Sequence, residues 1–149
     1  MEDKDFMLAA LELAREAKAE DEVPVGAVAV CRGEIVGRGR NRREKDKNAL
    51  AHAEIEAINE ACKNLGGWRL WECDLFVTLE PCPMCAGAII NARIRRLVFG
   101  AYDQKAGSCG SVVNLFDLPY NHRPQVTGGF MQEACAEELT EFFAELRKK

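Results

Sequence analysis

His52-Ala53-Glu54, followed after 27 residues by Cys82-Pro83-Met84-Cys85, brings three side chains suited to zinc together with a carboxylate that is not one of the three. Zinc takes four ligands; four protein side chains close a structural site, whereas three leave a position for water. The obvious ligands here stop at His52, Cys82 and Cys85, which points to hydrolysis. Such a metal can lower the pKa of bound water from 15.7 to roughly 7, and Glu54 is then the group free to carry protons. A Cys-x-x-Cys alone serves structural zinc sites and redox dithiols as readily. Pro81 directly before Cys82, and Glu54 two residues after His52, make the pattern far more demanding than that motif alone.

The elements that must position these groups follow from their spacing. Cys82 and Cys85 are three apart and share one side of a first helical turn. His52 and Glu54 are two apart and would diverge by about 200° inside a helix. They converge on one cavity only at a helix start, where the chain is still bending in. Ile55, Ile58, Cys62 and Leu65 continue at helical spacing and Gly66-Gly67 ends the run. Both motifs are therefore expected at helix N-termini, where the helix dipole favours thiolates and anions.

The wider pattern reads as a mixed sheet covered on both sides. Phe6, Ala9, Ala10, Leu13, Ala14 and Ala17 mark an amphipathic helix from Asp5 to about Lys18. Val25 to Cys31 and Glu34 to Arg40 form a hairpin about Arg32-Gly33. Leu75 to Leu79 is a nearly continuous apolar strand that delivers the chain to Pro81, and the Cys82 helix runs to about Ala92. Arg96 to Ala101 is the next strand, parallel to the last through a right-handed crossover. Residues 102–123 show no sustained period, with a short helix expected within Val112 to Leu118. Gln125 to Thr127 is read as an edge strand, and Phe130, Ala134, Cys135, Leu139, Phe142, Phe143 and Leu146 as a terminal helix. The expectation is a three-layer α/β/α fold with a five-stranded mixed sheet, all of residues 1–149 forming one domain.

Composition narrows the setting. The chain has 149 residues, 48% of them hydrophobic, and seven cysteines, an odd number that suits free thiols better than a disulfide framework. Met1 to Asp5 lacks the basic start of a signal peptide, and no run approaches the ~18 apolar residues of a membrane span. A cytoplasmic location with no membrane partner is expected. A net charge of -4 does not announce a nucleic-acid binder. Locally, however, Arg38, Arg40, Arg42, Arg43, Lys45 and Lys47 crowd one segment, and Arg93, Arg95 and Arg96 another; either could meet phosphates.

The H-x-E and P-C-x-x-C pair is the signature of zinc-dependent nucleobase deamination, in which water replaces the amine on an electron-poor C=N carbon and ammonia leaves. Further segments carry a closer resemblance: Val25-Gly26-Ala27, Asn41-Arg42, Ala51 to Glu54, Glu80 to Ala88, Val98 to Ala101 and Asn121-His122-Arg123. Over nearly the whole chain these resemble the bacterial tRNA-specific adenosine deaminases. The resemblance implies a cytidine-deaminase-like homodimer, with one Zn2+ per subunit, that converts adenosine to inosine at the wobble position of an arginine tRNA anticodon. It also implies zinc ligation by His52, Cys82 and Cys85, proton transfer by Glu54, and a hydrogen bond from Asn41 to the flipped base. Asp103, Lys105 and Ser108, with Asn121, His122 and Arg123, match segments that hold the anticodon stem-loop. Phe142 or Phe143, the latter preferred, closes the pocket. Without the resemblance, Asn41 reads as a turn residue at a strand end.

Two other readings share parts of this pattern. A deaminase of guanine or cytosine as free bases or nucleotides keeps the zinc site but has no need of Asp103, Lys105 or the Asn121 to Arg123 segment. A noncatalytic zinc-stabilised module needs no free carboxylate at Glu54.

Overall fold

The nearly continuous apolar runs of the central strands become a three-layer structure in the computed structural model, which describes residues 1–149. The chain runs α1 (Asp3–Ala19), β1 (Gly26–Cys31), β2 (Glu34–Arg40), α2 (Ala53–Leu65), β3 (Cys73–Leu79), α3 (Pro83–Ala92), β4 (Arg96–Ala101), β5 (Gln125–Thr127) and α4 (Gln132–Arg147). The sheet order is β2-β1-β3-β4-β5. β1 is antiparallel to β2 and β3, whereas β3, β4 and β5 are parallel. Side chains of alternate residues point to opposite faces, so each strand feeds two cores. Ala27, Ala29, Leu75, Val77, Leu97 and Phe99 meet α2 and α3. Val28, Val30, Phe76 and Val98 meet α1 and Cys135 of α4. No helix is long and apolar enough to cross a membrane.

Most expected elements form, with end corrections that have local causes. α1 begins at Asp3, not Asp5, because Glu2 and Asp5 make a reciprocal capping box. The β1–β2 hairpin turns through Arg32 and Gly33, both at positive φ, as a two-residue hairpin turn requires. Within Val112 to Leu118 only a single 3-10 turn forms, Leu115–Asp117. Asn114 caps it by accepting from Phe116 N at 3.1 Å, and Pro119 lies just beyond. The edge strand β5 is three residues long and exposed throughout.

α2 lies almost on the backbone of β2. A Cβ added to Gly37 would stand 2.1 Å from Ala57 O, and one added to Gly39 would stand 2.1 Å from Ala53 O. These two glycines let the helix that starts beside His52 sit flush on the sheet. The site motif is thereby seated at the C-terminal end of β3, where the parallel strands deliver their loops.

Candidate active site

His52 is the N-cap of α2 and Cys82 the N-cap of α3, each in an extended conformation, with Pro83 filling the first turn of α3. The expected convergence at helix starts is what the fold produces. His52 leaves the helix axis while Glu54, in the first turn, points into the same space. His52 Nδ1 lies 3.6 Å from Cys82 Sγ and 3.6 Å from Cys85 Sγ, and the three ligand atoms fall within 4.8 Å of one another.

This donor set fits a zinc ion. With Zn–S near 2.3 Å and Zn–N near 2.0–2.1 Å, a tetrahedral angle separates nitrogen from sulfur by about 3.6 Å. The thiols are also unequal. Hydrogen bonding from Cys85, with a smaller contribution from His52, outweighs burial and lowers the Cys82 thiol to about 4. Cys85, fully buried behind it, is pushed well above the usual thiol range by its bond with Cys82 and by burial. Two thiolates so close together need a cation between them, which a divalent metal provides. No fourth protein ligand joins the group.

Glu54 is 4% exposed. Burial raises its carboxyl to about 7, against smaller opposing effects that include its own backbone amide and His52. It lines a cavity of about 510 Å3 together with His52 and Cys82. Asn41, Val23, Val25 and Arg43 form one wall; Tyr102 to Ala106 form another; Leu139 and Phe143 of α4 reach in from a third side.

The other expected residues divide between those in this cavity and those away from it. Asn41, Asp103, Lys105 and Phe143 all line it. Asn41 is also the turn residue that its position at the end of β2 suggests. Its Nδ2 donates to Val23 O at 3.1 Å and its Oδ1 accepts from Arg43 N at 3.2 Å. Phe142 lies outside the cavity, edge-on to Phe143 with ring centroids 5.3 Å apart. Ser108 is buried, its hydroxyl donating to Ala106 O at 3.1 Å, and it shapes the loop behind the cavity wall.

Asn121, His122 and Arg123 do not join this cavity. His122 Nε2 donates to Ile94 O at 2.6 Å, beside the start of β4. Arg123 pairs with Asp117 at 2.7 Å, and Asn121 is exposed. The segment thus lies at the far end of α3 from Cys82; ten residues of helix span about 15 Å.

The basic stretch sorts itself by pairing. Arg40 and Lys45 each reach Glu20 at 2.7 Å, and Arg42 reaches Glu56 at 3.2 Å. Arg43 has no carboxylate partner and turns to the cavity opposite Lys105.

Two buried carboxylates escape a reading based on motifs. Glu22 accepts from Glu44 N and Lys45 N at 3.1 and 2.7 Å, holding the basic loop. Glu80 holds the opposite wall by accepting from Asp103 N, Cys109 N and Ser111 N. Burial favours the neutral acid at Glu80, but bonds from Ser111 and these amides prevail and hold its carboxyl below the ordinary value. For Glu80 the available signal was an acidic residue directly after an apolar strand, since a charge carried inward must find partners; Glu22, in the turn between α1 and β1, carried no such signal.

Residues 1–147 match the family model of the MafB19-like deaminases. The tRNA-specific adenosine deaminase of Bacillus subtilis is 48% identical over 149 residues, covering 99% of this chain and 92% of that protein. A solved structure from work on A-to-I editing by tRNA:A34 deaminases superposes with a TM-score of 0.88 at 48% identity, covering 91% of this chain and 99% of the other. The guanine deaminase of Nitrosomonas europaea shares the fold with a TM-score of 0.85 at 28% identity, over 96% of this chain and 85% of that one. With a His/Cys/Cys group beside a buried glutamate and identity of this order over nearly its full length, the chain belongs to the tRNA-specific adenosine deaminases.

Proposed function

We propose that this protein hydrolyses adenosine to inosine at the wobble position of a tRNA anticodon, an arginine tRNA by the family resemblance, with release of ammonia. The observation that carries the reading is Glu54, buried at the cavity floor beside the three metal-ligand atoms and absent from their group. His52, Cys82 and Cys85 would hold one Zn2+ per subunit, and an ion so held would supply the Lewis acidity that makes water a nucleophile near neutral pH.

The remaining work falls to this chain's own side chains. Glu54 takes a proton from the attacking water and gives it to the purine ring nitrogen; it then takes the second proton from the hydroxyl now on the carbon and gives it to the amine, which leaves as ammonia as the C–N bond breaks and the C=O forms. General acid/base catalysis of this kind contributes about 10²–10⁴-fold. Asn41, held by its bonds to Val23 and Arg43, keeps one N–H and one oxygen lone pair for the edge of the flipped base. Phe143 covers the base from α4. Arg43 and Lys105 face the phosphates on either side of it, with Asp103 and Ser108 shaping the loop between. Asn121, His122 and Arg123 are assigned to RNA beyond the flipped nucleotide, since they stand away from the cavity.

The whole chain acts as one zinc-dependent deaminase domain, located in the cytoplasm with its tRNA substrate, and assembles as a homodimer. α3 supports the dimer. It carries no charged residue, yet Met84, Gly87 and Ala88 stay only half-buried. Val112, Val113 and Leu118, which flank the 3-10 turn packed on α3, are exposed.

Inosine mapping on total tRNA incubated with the zinc-loaded protein tests reaction and target together. New inosine at the wobble position of an arginine tRNA is the expected result. Turnover of free guanine alone would replace this reading with the free-base one.

A further inference from the structure

We infer that Glu80 is a positioning residue for the substrate loop: its buried carboxylate sets the path of residues 103–111 and so places Lys105 against the RNA, a role that rests on the anticodon reading above.

Glu80 directly follows β3 and precedes the Pro81-Cys82 pair, and it is 2% exposed. Oε1 accepts from Asp103 N at 3.0 Å and from the Ser111 hydroxyl at 2.5 Å. Oε2 accepts from Cys109 N at 3.1 Å and Ser111 N at 3.0 Å. An ionised carboxylate offers about four acceptor sites. All are used by the loop, which leaves Glu80 none for substrate although it borders the cavity.

The donors come from both ends of one loop. Asp103 opens it; Cys109 and Ser111 close it. A single group therefore sets the distance between its two stems. The hold then passes inward, because Asp103 Oδ1 accepts from Lys105 N at 3.0 Å and from Ala106 N at 3.2 Å. Gly107 makes room for the arrangement: a Cβ there would stand 2.4 Å from the Glu80 carboxyl carbon. None of these contacts involves His52, Cys85 or Glu54. The chain of bonds runs from Glu80 to the one basic side chain that this wall presents to the cavity, Lys105.

Glutamine tests the carboxylate with almost no change in shape. One of its two terminal atoms is an NH2 group, which would meet amide donors with a donor. The expected result for zinc-loaded Glu80→Gln on an anticodon stem-loop is a KM raised about tenfold, with kcat within about threefold of wild type and one zinc per chain retained. Lys105→Ala should raise KM alone, and Glu80→Gln should add little to it, since the two act in series. Ser111→Ala removes one donor from the loop side, with KM expected to rise about threefold; it decides the matter if Glu80→Gln does not fold.

A fall in kcat at unchanged KM, loss of zinc, or full multiplication of the Glu80 and Lys105 effects would overturn the inference. So would wild-type kinetics in Ser111→Ala where Glu80→Gln gives no folded protein. If the wild-type protein makes no inosine in the stem-loop, the anticodon reading itself fails, and this inference with it.

Discussion

His52 Nδ1 stands 3.6 Å from Cys85 Sγ, although 33 positions separate the two residues in the chain. The contact joins the start of α2 to the first turn of α3, so a metal held there would bridge the two helices. Cys85→Ser replaces a soft thiolate by a hydroxyl at a buried ligand position. Zinc affinity should fall by more than the ~10–100-fold typical of losing an outer partner. Because bound metal stabilises the fold by mass action, a hundredfold loss of affinity removes about 2.7 kcal/mol with free zinc in excess. Zinc content per chain and melting curves with and without chelator check both numbers.

Glu54→Ala should do the opposite. It leaves the three ligands in place, so zinc content stays at the wild-type level. Ammonia release should fall by at least ~10²–10⁴-fold, the contribution of the proton carrier. A variant that lost its zinc would show Glu54 to be a ligand instead.

Asn41→Asp separates the turn from the base contact. The new carboxylate still accepts from Arg43 N but faces Val23 O with a second acceptor where Nδ2 donated. Chemical denaturation should register a loss of about 1 kcal/mol for the unsatisfied, part-buried Val23 carbonyl. The loss of kcat/KM should exceed what that destabilisation explains, because the donor to the base is gone as well.

Gly39→Ala reports on the seat of α2. Its Cβ would overlap Ala53 O, one residue from His52, and the obstacle is backbone with no rotamer to yield. Overpacking of this kind costs about 1–3 kcal/mol. Weaker zinc binding should accompany the lower denaturation midpoint, since the displaced segment is the one that carries His52.

The acid limb of stability should carry a contribution from Glu20. Bonds from Arg40 and Lys45 lower its carboxyl from 4.5 to about 2. A depressed carboxylate stabilises the fold fully above its unfolded pKa and loses that contribution as pH falls through the folded one. The stability difference between wild type and Glu20→Gln should therefore be constant above pH 4.5 and shrink between 4.5 and 2. Denaturant titrations at stepped pH would show it, and a difference that persisted to the acid end would contradict the pairing.

What the sequence by itself determined is whatever depends on neighbours a few residues away. The His-x-Glu and Cys-x-x-Cys motifs, the helix starts at His52 and Cys82, the hairpin about Arg32-Gly33 and the two-faced strands all follow from short-range spacing. Such patterns specify which face an element buries and where it must begin or stop. The tertiary structure decided the rest. It paired Arg40 and Lys45 with Glu20 and left Arg43 to the cavity. It gave Glu22 and Glu80 their loops, chose Phe143 over Phe142, and set Asn121 to Arg123 at the far end of α3. The physical reason is that a charged or polar side chain is satisfied by whichever partner the folded loops bring within about 3 Å, and loop paths carry no period from which that partner can be read.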